Sequence, residues 1–267
     1  MEMRTYDTGF VRKSGKSYRD DRQETLTRKF SNYISIGVQG YVGSEFEKNR
    51  SSKRALNGCV YFFESIKWIF FRRFPNLAPL MYYFEQKEKP VLYCCRDDGE
   101  EIPEKFNDVP RLINNPIELV IQNIPHIWGR EIALWDEAVK GEECVQNRSG
   151  ACDPSKWTKQ LANDGLIEVF LIRSVGSYLK KLFGERQHLS RIGQFDELTI
   201  QFRKPEETLA GGNKHKIDQL CIMVDGEFYT VQHPKSLSIK RLTQILLLGS
   251  SPKRSRLVRD EKVTKGS

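Results

Sequence analysis

The dipeptide Asp225-Gly226, set between the apolar runs Leu220–Val224 and Phe228–Val231, constrains the fold more than any other part of this sequence. Asp-Gly between strand-like segments predicts a β-hairpin closed by a tight type I′ turn, because glycine accepts the positive φ that this turn requires. Further short runs at Leu198–Phe202 and Leu237–Ile239 flank the hairpin at the spacing of an antiparallel sheet. Asp-Gly-Glu also occurs at Asp98-Gly99-Glu100, inside a charged loop. The triplet by itself therefore denotes a turn, and only its surroundings can make Val224-Asp225-Gly226-Glu227 a site.

Upstream, Tyr33, Ile34, Ile36 and Val38 form a strand-like run interrupted by Gly37. Gly40 and Gly43 follow, small residues that permit close backbone approach. The charged segment EFEKNRSSKR then reads as helix or loop, and strand-like runs return at Ile117–Ile124 and Leu166–Ile172. Residues 86–115, charge-rich, and 136–162, polar and poorly patterned, read as insertions, and Asp97-Asp98-Gly99-Glu100-Glu101 as a turn rather than a metal loop. The most aromatic stretch is 60–84, with Tyr61, Phe62, Trp68, Phe70, Phe71 and Phe74. Buried core is the first expectation for it; a membrane-docking face is the alternative, because Lys67, Arg72 and Arg73 stand beside the rings. The pattern as a whole predicts an α+β, β-rich, antiparallel sandwich-like fold over 29–249. A polar lead-in at 1–28 and a basic tail at 250–267 are expected to lack fixed structure.

Composition narrows the function classes. No run approaches the roughly 18 to 20 apolar residues of a membrane span, and the first residues lack the apolar core of a secretory signal, so the expected compartment is the cytosol. The six cysteines form no Cys-x-x-Cys pair and read as reduced thiols rather than zinc ligands. A net charge of +8 over 267 residues favours anionic partners: phosphates, nucleic acid or an acidic leaflet. Basic residues interleaved with stacking aromatics are missing, which argues against nucleic acid. Gly15-Lys16-Ser17 fails as a phosphate loop, because the position that needs the first glycine holds Phe10.

Four ordered blocks resemble one family. They are NYISIGVQGYVGSEFEKNR at Asn32–Arg50; Asn123-Ile124-Pro125 with Trp128-Gly129 and Leu134-Trp135; NDGLIEVFLI at Asn163–Ile172 with HLSRIGQF at His188–Phe195; and the Asp225 hairpin with the segment after it. In this order they resemble the diacylglycerol kinase family, specifically the accessory domain that follows its ATP-binding catalytic domain. The resemblance implies an ATP- and magnesium-dependent lipid kinase that converts diacylglycerol to phosphatidic acid.

Carried onto this sequence, the resemblance implies that Asp225 and Glu227 face the cleft between the two domains. There they would assist deprotonation of the lipid hydroxyl or hold magnesium directly or through water. Asp164 matches the family's Asp-Gly in the third block and is the candidate metal ligand, with a simple turn before the strand at Leu166 as the other reading. The expected partners are diacylglycerol, an anionic membrane surface and a catalytic domain outside these residues, with peripheral membrane association. Two departures stand out. The glycine-rich Gly-Gly-Asp-Gly-Thr segment of the family's nucleotide domain is absent, and Gln39 stands where the family usually has Asp. A neutral amide cannot replace a carboxylate as base or strong magnesium ligand. A catalytically inactive lipid-binding or regulatory module of the same fold is the alternative function.

Overall fold

The computed structural model describes residues 2–6, 11–13, 25–72, 74–96, 99–127, 130–131, 134–177, 189–204 and 219–243. Asp97, Asp98, Trp128-Gly129, the glycines at 211–212, the Gly15-Lys16-Ser17 triplet and the basic tail lie outside them. In chain order the strands are β1 (Glu2–Tyr6), β2 (Val11–Lys13), β3 (Thr25–Lys29), β4 (Tyr33–Gly37), β5 (Met81–Gln86), β6 (Lys89–Cys94), β7 (Arg111–Leu112), β8 (Glu118–Gln122) and β9 (His126–Ile127). They continue with β10 (Arg130–Glu131), β11 (Val145–Gln146), β12 (Ile167–Ile172), β13 (Leu189–Phe195), β14 (Leu198–Phe202), β15 (Gln219–Val224), β16 (Glu227–Gln232) and β17 (Ser236–Lys240). Helices α1 (Val38–Asn49), α2 (Arg54–Ile66) and α3 (Leu134–Glu137) sit among them, and a π-helical turn, Lys67–Phe71, extends α2.

Two large sheets share one core, as expected of an α+β, β-rich, sandwich-like fold. One has eight strands in the order β11-β7-β6-β5-β14-β17-β1-β3, the other seven in the order β13-β12-β8-β4-β15-β16-β2. Pairing is antiparallel except between β6 and β7. Because side chains alternate along a strand, Ile34, Ile36, Leu119, Ile121, Val169, Leu171 and Ile222 of the seven-stranded sheet point one way. They meet Phe84, Leu92, Ile200, Leu237 and Ile239 of the other sheet in a fully buried cluster. The opposite face of the seven-stranded sheet presents Tyr33, Val120, Phe170, Ile172 and Met223 to Val38 and Val42 of α1 and to Leu134 and Trp135 of α3.

Gly40 and Gly43 let α1 lie close against β15 and β16. A methyl group at Gly40 would strike the Cys221 carbonyl, and one at Gly43 the Phe228 ring. Helix α2 packs on α1 through Phe46 and Tyr61, whose ring centroids are 5.5 Å apart, and the π-helical turn adds Trp68, 5.1 Å from Tyr41.

Three expectations need revision. The lead-in holds two strands and most of a third: β1 pairs with β3 and β17, and β2 with β16, so that part of 1–28 belongs to the sheets. The stretches read as insertions also contribute to the fold. β6 and β7 fall within 86–115, and Cys144, Cys152 and Gln160 within 136–162 are buried. The aromatic stretch splits by helical period: Tyr61, Trp68 and Phe74 pack against the second core, while Phe62, Phe70 and Phe71 are exposed. All six cysteines are free, and no described helix is long and apolar enough to cross a membrane.

Candidate functional site

Strand register brings the four sequence blocks to one end of the seven-stranded sheet. Tyr33 at the start of β4 pairs with Gln122 at the end of β8, Gln122 pairs with Glu168 near the start of β12, and Val224 at the end of β15 pairs with Ile34. The segments leading into or out of these residues, at 30–32, 123–125, 163–166 and 225–226, therefore lie side by side along one rim. Residues as distant in sequence as Ser31 and Asp225 become neighbours there.

Asp225 and Gly226 form the tip of the β15–β16 hairpin with φ of 47° and 88°, both positive as a type I′ turn requires. The Asp225 carboxylate reaches across to β4. Its Oδ2 accepts the Ser31 backbone N–H at 2.7 Å, and its Oδ1 accepts those of Asn32 and Tyr33 at 3.0 Å each. The Ser31 hydroxyl adds a longer contact at 3.3 Å. In return the Asp225 N–H donates to the Tyr33 carbonyl at 3.1 Å. Charge-assisted bonds of this kind are stronger than neutral ones, so this carboxylate fastens the hairpin tip to the start of β4. Asn123 fastens the next strand to the same loop: its Nδ2 donates to the Ser31 carbonyl at 2.7 Å and its N–H to that of Asn32 at 2.8 Å.

Glu227 stands two residues on and is exposed. The Tyr229 hydroxyl donates to Glu227 Oε2 and accepts from Arg28 Nε at 2.9 Å. Burial and then the Glu227 carboxylate raise the Tyr229 phenol above its ordinary value. Asp164 accepts the Leu166 N–H at 2.9 Å in a turn that leads into β12. Among the described residues no three His, Cys, Asp or Glu side chains gather into a group suited to a metal ion. With Asp225 occupied by backbone donors and Asp164 by its own turn, these residues alone do not make a magnesium site.

Gln39, the neutral substitute for Asp, is buried at the start of α1. It accepts the Tyr33 hydroxyl at 3.0 Å and donates through Nε2 to Glu118 Oε1 at 2.5 Å. Ser35 donates to the same oxygen at 2.5 Å. A carboxylate is thus present beside position 39 after all, supplied by β8 rather than α1. On the same face of the sheet Glu168 is fully buried, accepting from Gln160 Nε2 at 2.7 Å and Gln194 Nε2 at 3.1 Å. Burial pushes its carboxyl up to about 8 against the pull of those two amides.

Sequence reasoning singled out Asp225 and Glu227 as cleft-facing carboxylates and Asp164 as a metal ligand or turn residue, and identified neither their common rim nor their partners. It missed the Ser31–Tyr33 loop as the hub and missed Glu118 and Glu168 altogether. One signal was available: Glu118 and Glu168 are carboxylates inside otherwise apolar strands, and such residues are seldom buried without a partner.

A groove with a volume of about 730 Å³ lies on the outer face of the eight-stranded sheet, lined by Glu85, Lys87, Glu197, Thr199, Gln201 and Ser238 among others. Its lining mixes both charges and bonds to itself, as Gln201 to Glu85 and Thr199 to Ser238, both at 3.0 Å.

Compared with known protein families, the chain matches the model of the diacylglycerol kinase accessory domain over residues 29–228. None of the curated proteins compared with it matches.

Proposed function

Because the chain belongs to the diacylglycerol kinase accessory-domain family, we propose that it is the accessory part of an ATP-dependent diacylglycerol kinase. Joined to an ATP-binding catalytic domain, it acts in converting diacylglycerol to phosphatidic acid. The observation that carries this reading is the convergence of the four family-like blocks on one rim, with Asp225 and Glu227 at the hairpin tip. ATP and magnesium enter with the partner domain, which supplies the phosphate cradle and charge neutralisation that phosphoryl transfer needs.

The two carboxylates divide the work. Asp225 is held by three backbone N–H groups and keeps the hairpin tip in place. Glu227 is exposed at that tip and takes the proton from the lipid hydroxyl as it attacks the γ-phosphoryl group. The substrate resides in a bilayer, so the protein works at a membrane surface as a peripheral component. In the joined enzyme Glu227→Gln lowers kcat about a hundredfold or more, as loss of a general base does, with KM for diacylglycerol little changed. Unaltered kcat refutes this role.

A second reading, an inactive lipid-binding or regulatory module, is favoured by Gln39 because the carboxylate beside it, Glu118, is fully buried and held by Gln39 and Ser35. It predicts that the joined protein makes no phosphatidic acid yet still binds the lipid.

A further inference from the structure

Helix α2 and its π-helical extension expose the side that a helix packed on a core would hide. Phe62 and Phe63 are each 61% exposed, Phe70 73%, Phe71 83% and Leu56 49%. The positions 56, 59, 63, 66 and 70 follow helical spacing, so Leu56, Cys59, Phe63 and Phe70 line up along one outward stripe with Ile66 partly covered between them. The inward face is already occupied: Tyr61 meets Phe46, Trp68 meets Tyr41 and stacks on Phe74 at 5.1 Å, and Glu64 is buried. The outward aromatics are thus surplus to the fold. In water a contiguous apolar ridge of this kind marks an interaction surface.

Charge selects the occupant. Lys53 and Arg54 open the helix, exposed and without an ion pair among the described residues, and Lys67 and Arg72 stand beside the last exposed rings. The acids nearby are engaged by cations: Glu64 is buried and bonded to Lys67 at 2.7 Å, and Glu45 is paired with Lys48 at 2.9 Å and with Arg72 at 3.7 Å, which leaves Lys53 and Arg54 as the surplus positive charge of this face. Bulky aromatics bordered by cations suit the boundary between acyl chains and anionic headgroups, where the rings enter the apolar layer and the cations remain with the phosphates. We infer that the exposed face of α2 and the π-helical turn is a membrane-docking surface, which inserts Phe62, Phe63, Phe70 and Phe71 into the interface of an anionic bilayer. This rests on the lipid-kinase reading only for the choice of a bilayer as occupant.

The test is partition of the full chain onto vesicles of phosphatidylcholine with and without phosphatidylserine, measured by sedimentation, with neither nucleotide nor diacylglycerol present. The outcome is therefore independent of kinase activity. The chain is expected to bind the phosphatidylserine vesicles more tightly, and added salt to weaken binding. Phe70→Ser with Phe71→Ser is expected to weaken it about tenfold or more, since interfacial affinity scales with buried apolar area. Lys53→Glu with Arg54→Glu removes most of the preference for phosphatidylserine. Leu161→Ser, at an exposed apolar residue outside the ridge, leaves binding unchanged. Both rings are exposed, so the paired Phe variant keeps its circular dichroism and melting profile. Vesicle binding that is absent, or equal in wild type and the Phe pair, overturns the proposal. So does a dimer that dissociates in the Phe pair without any vesicle binding, which would make the ridge a contact between two copies of the chain.

Discussion

Replacing Glu168 by Gln tests the buried polar layer beneath the rim. Glu168 is fully buried, and burial raises its carboxyl from 4.5 to about 8. Between these two values the folded protein keeps a proton that the unfolded chain has released. Stability conferred by that proton is complete below about 4.5 and is lost as pH rises toward 8. The slope is about 1.4 kcal/mol per pH unit, and across the window the loss approaches about 5 kcal/mol. The protonated carboxyl needs an acceptor, and one is adjacent: Gln160 Oε1 is buried and has no partner, and half a turn of that amide presents it to the acid proton. Glu168→Gln mimics the protonated acid. Urea unfolding at about pH 5 and about pH 8 should show the wild type losing several kcal/mol between them and the variant losing far less. Equal pH dependence in both proteins refutes the argument.

Asp225→Ala removes an acceptor from three backbone N–H groups and leaves a non-glycine residue at φ 47°. Two of those donors are exposed enough for water to replace the carboxylate, so the cost is about 2 to 4 kcal/mol in urea unfolding, with Asp225→Asn closer to about 1 to 2. Loss of turnover in the Asn variant without any loss of stability would contradict its positioning role. Gln39→Asp sets a second carboxylate against Glu118, where like charges near 4 Å cost about 4 kcal/mol at an effective dielectric of 20. Adding Glu118→Gln to Gln39→Asp should recover most of that stability, and a double-mutant cycle that is simply additive would disprove the coupling.

The β15–β16 hairpin was legible because its signal is local: Asp-Gly supplies the turn, and alternation supplies the strands. The β5–β6 hairpin was not, since its two-residue loop is Lys87-Glu88, with φ of 51° and 62° and no glycine to announce it. Contacts from the neighbouring loop help to hold that turn: Lys87 Nζ lies 2.5 Å from Asp196 Oδ2, and its N–H bonds to Glu197 at 3.0 Å. The run from Tyr33 to Val38 read as one strand, yet the helix begins at Val38 with no side-chain cap to mark it. β1 and β2 escaped notice because a short polar segment becomes a strand only through partners such as β17 and β16, more than two hundred residues away.

The same limit applies to the site. Asp225 was identifiable as a turn residue, whereas its bonds to Ser31, Asn32 and Tyr33 span 194, 193 and 192 positions. In the aromatic stretch the helical period is readable, but which side meets α1 is decided by Tyr41 and Phe46 across the interface. Gln39 looked like a loss of charge. Glu118 shows that the charge sits on a neighbouring strand instead, a relation that no local pattern records.

The role proposed for this chain is to support phosphoryl transfer to diacylglycerol. Its most direct measurement fuses the chain to the ATP-binding domain of a diacylglycerol kinase and follows phosphate from labelled ATP into phosphatidic acid on diacylglycerol-containing vesicles. Phosphatidic acid is expected to form with the wild-type chain and to fall about a hundredfold with Glu227→Gln. A folded fusion that binds ATP and the vesicles yet forms no phosphatidic acid, or whose rate ignores Glu227, would contradict that role.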